Sequence, residues 1–263
     1  MSGRRDAILE EMGLTPVWKS RIGTGGPANS PVPPVPPGVT AESAVEHAVE
    51  PLETAGDFAQ TPSVARESRI AKMDWPALKE AVPACTACAL HKSRTQTVFG
   101  VGDEKADWLL VGEAPGAEED QRGEPFVGQA GRLLDAMLAS IDLARGTNVY
   151  IANVLKCRPP GNRNPEPGEV AKCAPHLMRQ VDLIQPRLIV AMGRFAAQTL
   201  LATDASIASL RGRLHAYHGV PLIVTYHPAY LLRTPADKAK AWQDLVFAVR
   251  TMEGLQAQRT APT

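Results

Sequence analysis

The stretch WLLVGEAPGAEEDQRGEPFVG, Trp108 to Gly128, sets the fold class and raises the functional question. Its first residues are apolar without a break and read as a strand buried on both faces. Gly112, Pro115 and Gly116 then turn the chain. A glycine-bearing turn at the end of such a strand usually suggests phosphate. This one carries Glu113, Glu118, Glu119 and Asp120, which would repel phosphate. The loop calls for a ligand that wants a tight backbone turn, carboxylates and the nearby Phe126.

Working outward, three further apolar runs read as strands, at 149–154, 188–192 and 222–226. Helical patterns at 130–141, 167–184, 194–202 and 235–252 lie between or after them. Strands alternating with helices imply parallel pairing through right-handed crossovers. The expected class is α/β: a three-layer α/β/α sandwich around a central four-stranded parallel sheet, spanning residues 69–253. In such sheets ligands bind beyond the carboxyl ends of the strands. Glu113, Asn153 and His227 each follow or end a strand, so they should share one rim although they lie far apart in the chain.

The flanks read differently. Ile8, Leu9, Met12 and Leu14, with Trp18 beyond, form one apolar helical face in residues 1–20. That helix either docks on its own domain or serves as a peptide bound by a replication or repair protein. Residues 21–68 read as a disordered linker, with six prolines between Pro27 and Pro37. Residues 254–263 read as a disordered tail. The formal net charge is zero, but residues 1–70 carry a net of −3 and the remainder a net of +3. Charge alone therefore does not announce a nucleic-acid binder. There is no apolar run of membrane-spanning length and no apolar stretch of signal-peptide length, so a cytoplasmic protein without a membrane partner is expected; one compact domain with a tail leads to the expectation of a monomer.

All four cysteines fall in pairs: Cys85 and Cys88 in C-x2-C, then Cys157 and Cys173 with fifteen residues between them. Four structural disulfide cysteines are not expected in a cytoplasmic chain. A metal centre is the natural reading. Spacing leaves zinc and an iron–sulfur cluster both open, since the second pair is wider than a zinc knuckle and clusters tolerate dispersed cysteines.

Taken in order, the C-x2-C pair, GEAPGAEED, PFVGQAG, NVLKCRPPGNRNP, the second spaced cysteine and HPAYLLR resemble the iron–sulfur uracil-DNA glycosylases, often called family 4. The resemblance covers about residues 75–250 and does not reach residues 1–65. It implies a [4Fe–4S] cluster on Cys85, Cys88, Cys157 and Cys173. It implies a monofunctional enzyme, without lyase activity, that removes uracil from DNA and leaves an abasic site in base excision repair.

A flipped base needs a flat apolar partner, an edge reader and a stabiliser for the departing anion. Phe126 is the candidate platform, although phenylalanines usually pack in cores. Asn153 is the candidate edge reader, because an amide matches uracil N3–H and O4 and mismatches cytosine at both atoms. His227 is the candidate donor to uracil O2 as negative charge develops there. The backbone from Gly112 to Gly116, Ala114 included, should approach the base. Glu113 and Glu119 are the candidates for orienting water and stabilising the cationic sugar. Some other uracil glycosylase families carry an aspartate where this chain has Ala114, so a strong base is missing at that point. Glu118 and Asp120 read equally well as a solvated helix start. Leu231 and Leu232 should wedge into the gap left by the flipped base. Arg233 should hold phosphate, as should Lys238, and Asn162 and Arg163 should face the DNA backbone.

Three other readings stay open at this level. One keeps the fold and widens the substrate to hypoxanthine or xanthine; Glu113 in GEAPG favours the uracil-specific subgroup. A second is a cluster-bearing replication accessory factor. The third is a flavodoxin-like nucleotide binder, which the acidic first loop argues against.

Overall fold

The computed structural model describes residues 62–260. The expected helix at 1–20 and the linker through residue 61 lie outside the described residues.

The sheet has six strands: β1 (Val101–Gly102), β2 (Trp108–Gly112), β3 (Val149–Asn153), β4 (Leu188–Met192), β5 (His215–Tyr217) and β6 (Val220–Thr225), in the order β1-β3-β2-β4-β6-β5. The expected four parallel strands form its centre, β3-β2-β4-β6. The expectation of a four-stranded sheet is corrected at both edges, where β1 and β5 pair antiparallel with β3 and β6. These edge strands are two and three residues long and only half-buried, too short and polar for an apolar-run reading to find.

Side-chain alternation builds the layers. Leu109 and Val111 of β2 point into one apolar cluster with Leu177, Val181 and Ala197. Trp108 and Leu110 point into another with Leu134, Leu138 and Met252. The first cluster is roofed by α5 (Pro167–Ile184) and α6 (Arg194–Leu201), the second by α4 (Gln129–Ala139) and α9 (Lys238–Thr260). All residues of β2, β3 and β4 are buried, which is what helices on both faces require. The remaining helices are α1 (Pro62–Ile70), α2 (Trp75–Ala81), α3 (Ala117–Arg122), α7 (Ile207–Leu210) and α8 (Pro228–Arg233).

Two boundaries move. Residues 62–68, expected in the linker, belong to α1, whose Arg66 bonds the Lys172 carbonyl on α5. Residues 254–260, expected in the tail, continue α9. No helix among the described residues is long and apolar enough to cross a membrane.

Parallel register aligns the strand ends. Gly112 lies opposite Asn153, Val111 opposite Ala191, and Met192 opposite Thr225. The segments leaving these four strands therefore open on one rim.

Candidate active site

Glu113, Ala114, Glu119, Phe126, Asn153, Asn162, Arg163, His227 and Arg233 all line a single cleft of about 740 Å³ at that rim. Gly112 lies beneath it. A Cβ at Gly112 would overlap both Asn153 Oδ1 and the Phe126 ring, so this glycine lets the amide and the ring close on one point. The Asn153 side chain is buried, and its Oδ1 has no hydrogen-bond partner among the described residues. Buried polar atoms are almost always paired. An orphan acceptor on a cleft wall is a place for a ligand donor.

Phe126 sits at φ 56, a strained value for a bulky residue. Arg145 holds it there by donating to the carbonyls of Pro125 at 2.8 Å and Phe126 at 2.9 Å. Its guanidinium is fixed in turn by Asp135 on α4. Gly131 on α4 completes the seat, since any Cβ there would collide with the Phe126 carbonyl. The Phe126 ring stacks on His227, with centroids 5.4 Å apart and planes at 29°.

His227 caps α8, and its Nδ1 accepts from the Ala229 N–H at 3.1 Å. Burial, with the charge of Arg233 adding to it, pulls the ring down to about 4; Glu119 works the other way. The imidazole is therefore neutral at physiological pH, and with Nδ1 accepting, the proton resides on Nε2. Burial lifts Glu113 to about 6, opposed by the Arg194 guanidinium, so its carboxylate is mostly ionised at pH 7.

The other acidic residues of the loop are used internally. Glu119 Oε2 accepts from the Gly116 N–H at 3.1 Å and Oε1 from the Val127 N–H at 3.0 Å, so it staples the two ends of the loop together. Asp120 is buried and takes the Thr95 N–H on both oxygens, so it is not a solvated helix start. Glu118 is exposed and pairs loosely with Arg122.

The cysteines meet at a second cavity. Cys85, Cys88, Cys157 and Cys173 line it together with Val82, Ala87 and His176. None is in a disulfide. Among the described residues, no three His, Cys, Asp or Glu side chains stand close enough to hold a single metal ion. The four cysteines share the lining of one small cavity, as the ligands of a common centre would. Donors already point at them: Arg94 Nη1 to Cys157 Sγ at 3.0 Å, the Lys156 N–H to Cys173 Sγ at 3.3 Å, and Arg66 Nη2 to Cys85 Sγ at 3.6 Å. Such donors suit thiolate sulfur carrying negative charge. The donor set fits an iron–sulfur cluster.

Residues 99–246 match the family model of the uracil DNA glycosylase superfamily. The chain belongs to that superfamily. The Type-4 uracil-DNA glycosylase of Archaeoglobus fulgidus is 49% identical over 162 residues, covering 59% of this chain and 81% of that protein. The Type-4 enzyme of Pyrobaculum aerophilum is 42% identical over 183 residues, covering 66% of this chain and 93% of that protein. The Type-4 enzyme of Sulfurisphaera tokodaii is 43% identical over 166 residues, covering 60% and 76%.

One expected site residue of this glycosylase-superfamily chain is misplaced in the sequence reading. Leu231 is fully buried, packed with Leu133, Met137 and Leu245, and cannot act as a wedge from that position. One residue on, a turn of about 100° around α8 brings Leu232 to the surface at 40% exposure. Lys238, the first residue of α9, is not among the residues lining the cleft. Arg163 reaches the cleft but is paired with Glu166 and the buried Glu169. Arg158 donates to Asn162 Oδ1 at 2.7 Å. Sequence reasoning missed Arg194, Tyr226 and Tyr230, which also line the cleft. Arg194 carried a signal, because it directly follows an apolar strand and a glycine. Arg145 carried none, because its partners, the Pro125 and Phe126 carbonyls and Asp135, lie 20, 19 and 10 positions away.

Proposed function

We propose that this chain flips uracil out of DNA and hydrolyses its N-glycosidic bond, releasing uracil and leaving an abasic site for base excision repair. The observation that carries the reading is the buried, donorless Asn153 Oδ1 beside the Phe126 ring. Uracil N3–H donates to that oxygen, and Asn153 Nδ2 donates to O4. Cytosine presents an acceptor at N3 and a donor at N4, leaves the amide unsatisfied, and is rejected.

The reaction then runs as a dissociative displacement. The bond from C1′ to N1 breaks and its electron pair leaves with uracil. His227 Nε2–H donates to O2, where the negative charge collects. Glu113 orients a water toward the cationic C1′ and takes its proton as the new C–O bond forms. Phe126 and the backbone at Ala114 hold the ring flat, and Gly112 beneath them leaves room for the Asn153 amide and the Phe126 ring. Glu119 acts through the loop, keeping Gly116 and Val127 in place. The nucleophile in this reading is the water that Glu113 orients and not an enzyme amine, so the chain acts as a monofunctional glycosylase.

Cys85, Cys88, Cys157 and Cys173 would hold a [4Fe–4S] cluster, which when bound supplies a structural cross-link with every iron position closed by thiolate. Arg194 and Arg233 supply positive charge at the cleft for DNA phosphates, and Leu232 is the exposed wedge. Asn162 and Arg163 form the opposite wall, with Arg163 largely committed to Glu169. Residues 1–20 are the candidate docking peptide for a replication or repair protein, supported by the helical spacing of Ile8, Leu9 and Met12 in the sequence alone.

The test uses freshly purified holoenzyme on a labelled single strand with one uracil, followed by hot alkali, with thymine in the control strand. Cleavage at uracil alone, slowed about a hundredfold or more but still measurable in Asn153→Ala and in His227→Ala, is expected. Cleavage at hypoxanthine in place of uracil would move the substrate class, and no cleavage by cluster-bearing protein would remove the enzymatic reading.

A further inference from the structure

Lys156 is 1% exposed, between the end of β3 and the first cysteine of the second pair. Burying an ammonium is costly, and an apolar side chain of that length would fill the space more cheaply. What the ammonium provides and methionine cannot is directed bonding. Its Nζ donates to the backbone carbonyl of Asn153 at 2.8 Å and to Gln180 Oε1 at 2.6 Å. Gln180, itself fully buried on α5, is anchored by donating to the Phe99 carbonyl at 2.9 Å. The Lys156 backbone is held as firmly: its carbonyl accepts from the Val98 N–H at 2.8 Å and its N–H donates to Cys173 Sγ.

We infer that Lys156 is a positioning residue for base recognition, locking the Asn153 peptide so that the short Asn153 amide meets the edge of the flipped base. The inference rests on the reading of Asn153 as the base reader. The Asn153 side chain has only two rotatable bonds, so its amide goes where the backbone aims it. The carbonyl that Lys156 holds belongs to the peptide plane leaving Asn153. The same peptide is held on its other side by the Val154 N–H on the Gly112 carbonyl at 3.0 Å; with its carbonyl released, Asn153 can shift φ and ψ as a residue, redirecting Cα–Cβ and moving Oδ1 off the line to uracil N3–H. The same lysine touches the wall of the cysteine cavity. One side chain therefore ties the cysteine-bearing segment to the residue that reads the base.

The test compares holoenzymes of Lys156→Met, Asn153→Ala and the double variant in single-turnover cleavage of a uracil-bearing strand, with free uracil as competitor. Lys156→Met is expected to slow cleavage about ten- to hundredfold, the cost of a misplacement near 1 Å. Binding of the oligonucleotide should change by no more than about twofold, because phosphate contacts are untouched. Inhibition by free uracil should weaken, while visible absorption of the centre is retained. In the Asn153→Ala background the same change should cost nothing further, because its effect is spent through Asn153. A Lys156→Met enzyme at full rate, or one losing equally in both backgrounds, would overturn the positioning role. Full-rate cleavage by Asn153→Ala would instead remove the base-reader reading, whatever Lys156 does. Should Lys156→Met not fold with its centre, Gln180→Leu takes its place in the cycle. It keeps the lysine but removes the acceptor that aims it, and a smaller loss confined to the Asn153 background is expected; no loss, or an equal loss in both backgrounds, counts against the role.

Discussion

The Ala229 N–H points at His227 Nδ1 from 3.1 Å, and this bond decides which ring nitrogen can serve the substrate. A residue two positions on at the start of α8 fixes the tautomer of the residue that caps that helix. Nε2 is left as the donor; among the described residues no carboxylate hydrogen-bonds the ring, and Glu119 acts on it only through its charge. In the proposed mechanism, leaving-group stabilisation would work by a neutral hydrogen bond that strengthens as uracil takes on charge.

For His227, burial sets a clear pH expectation. Its folded value is about 4 against about 6.5 when unfolded. Between these values the unfolded chain binds the extra proton, so stability falls as pH drops from about 6.5 toward 4. His176, also pulled down to about 4 by burial, adds in the same direction. Urea midpoints of the holoenzyme should drop between pH 7 and pH 5, less steeply in His227→Gln. Cleavage by His227→Ala should fall about a hundredfold or more, as for loss of an oxyanion donor.

Glu113 should govern the acid limb of the rate profile. With burial holding it near 6, its carboxylate is present above that pH and lost below it. Single-turnover rate plotted against pH should bend near 6, and the bend should vanish in Glu113→Gln. Arg194 opposes the burial effect, so Arg194→Met should move the bend to higher pH. A bend unmoved by Arg194→Met would show that another group titrates.

Neighbouring leucines on α8 should behave as opposites. Leu231→Ala empties a core site and should cost about 2–5 kcal/mol of stability by denaturant unfolding. Leu232→Ala should change stability by no more than about 0.5 kcal/mol. It should slow excision from duplex more than from single strands, since only the duplex has a stack to hold open. Equal slowing on both substrates would remove the wedge assignment.

Replacing Cys157 tests the centre directly. Cys157→Ser should lose the visible absorption of an iron–sulfur cluster and lower the melting temperature, because the loop after β3 would no longer be tied to the C-x2-C turn. Iron and sulfide analysis of the parent protein should give about four of each per chain for the proposed cluster type.

The central strands were legible because burial on both faces leaves unbroken apolar runs: 108–112 and 188–192 are found as read. Helix α5 was legible to the residue, because Pro167 opens it and Pro186 follows its end. The site residues at strand ends were legible for the same topological reason, and Asn153, His227 and Glu113 do meet at one cleft. The edge strands were not, since half-buried pieces of two or three residues carry no period. The split between Leu231 and Leu232 was not, because a six-residue helix gives too little pattern to fix its rotation. Glu119 was read as chemistry because its two N–H partners, Gly116 and Val127, meet it only after the loop closes. The role of Lys156 was not legible, because its partner Gln180 lies 24 positions away.

The abbreviated outer strands bear on how the molecule behaves in company. With only Val101–Gly102 at one border and His215–Tyr217 at the other, the sheet offers a passing chain almost no unclaimed backbone to copy. The strands richest in aggregation-prone sequence, β2 and β4, are flanked on both sides by strands of the same chain. Crowding in a cell, or concentration in a tube, should therefore not drive copies to join by extending one another's sheets.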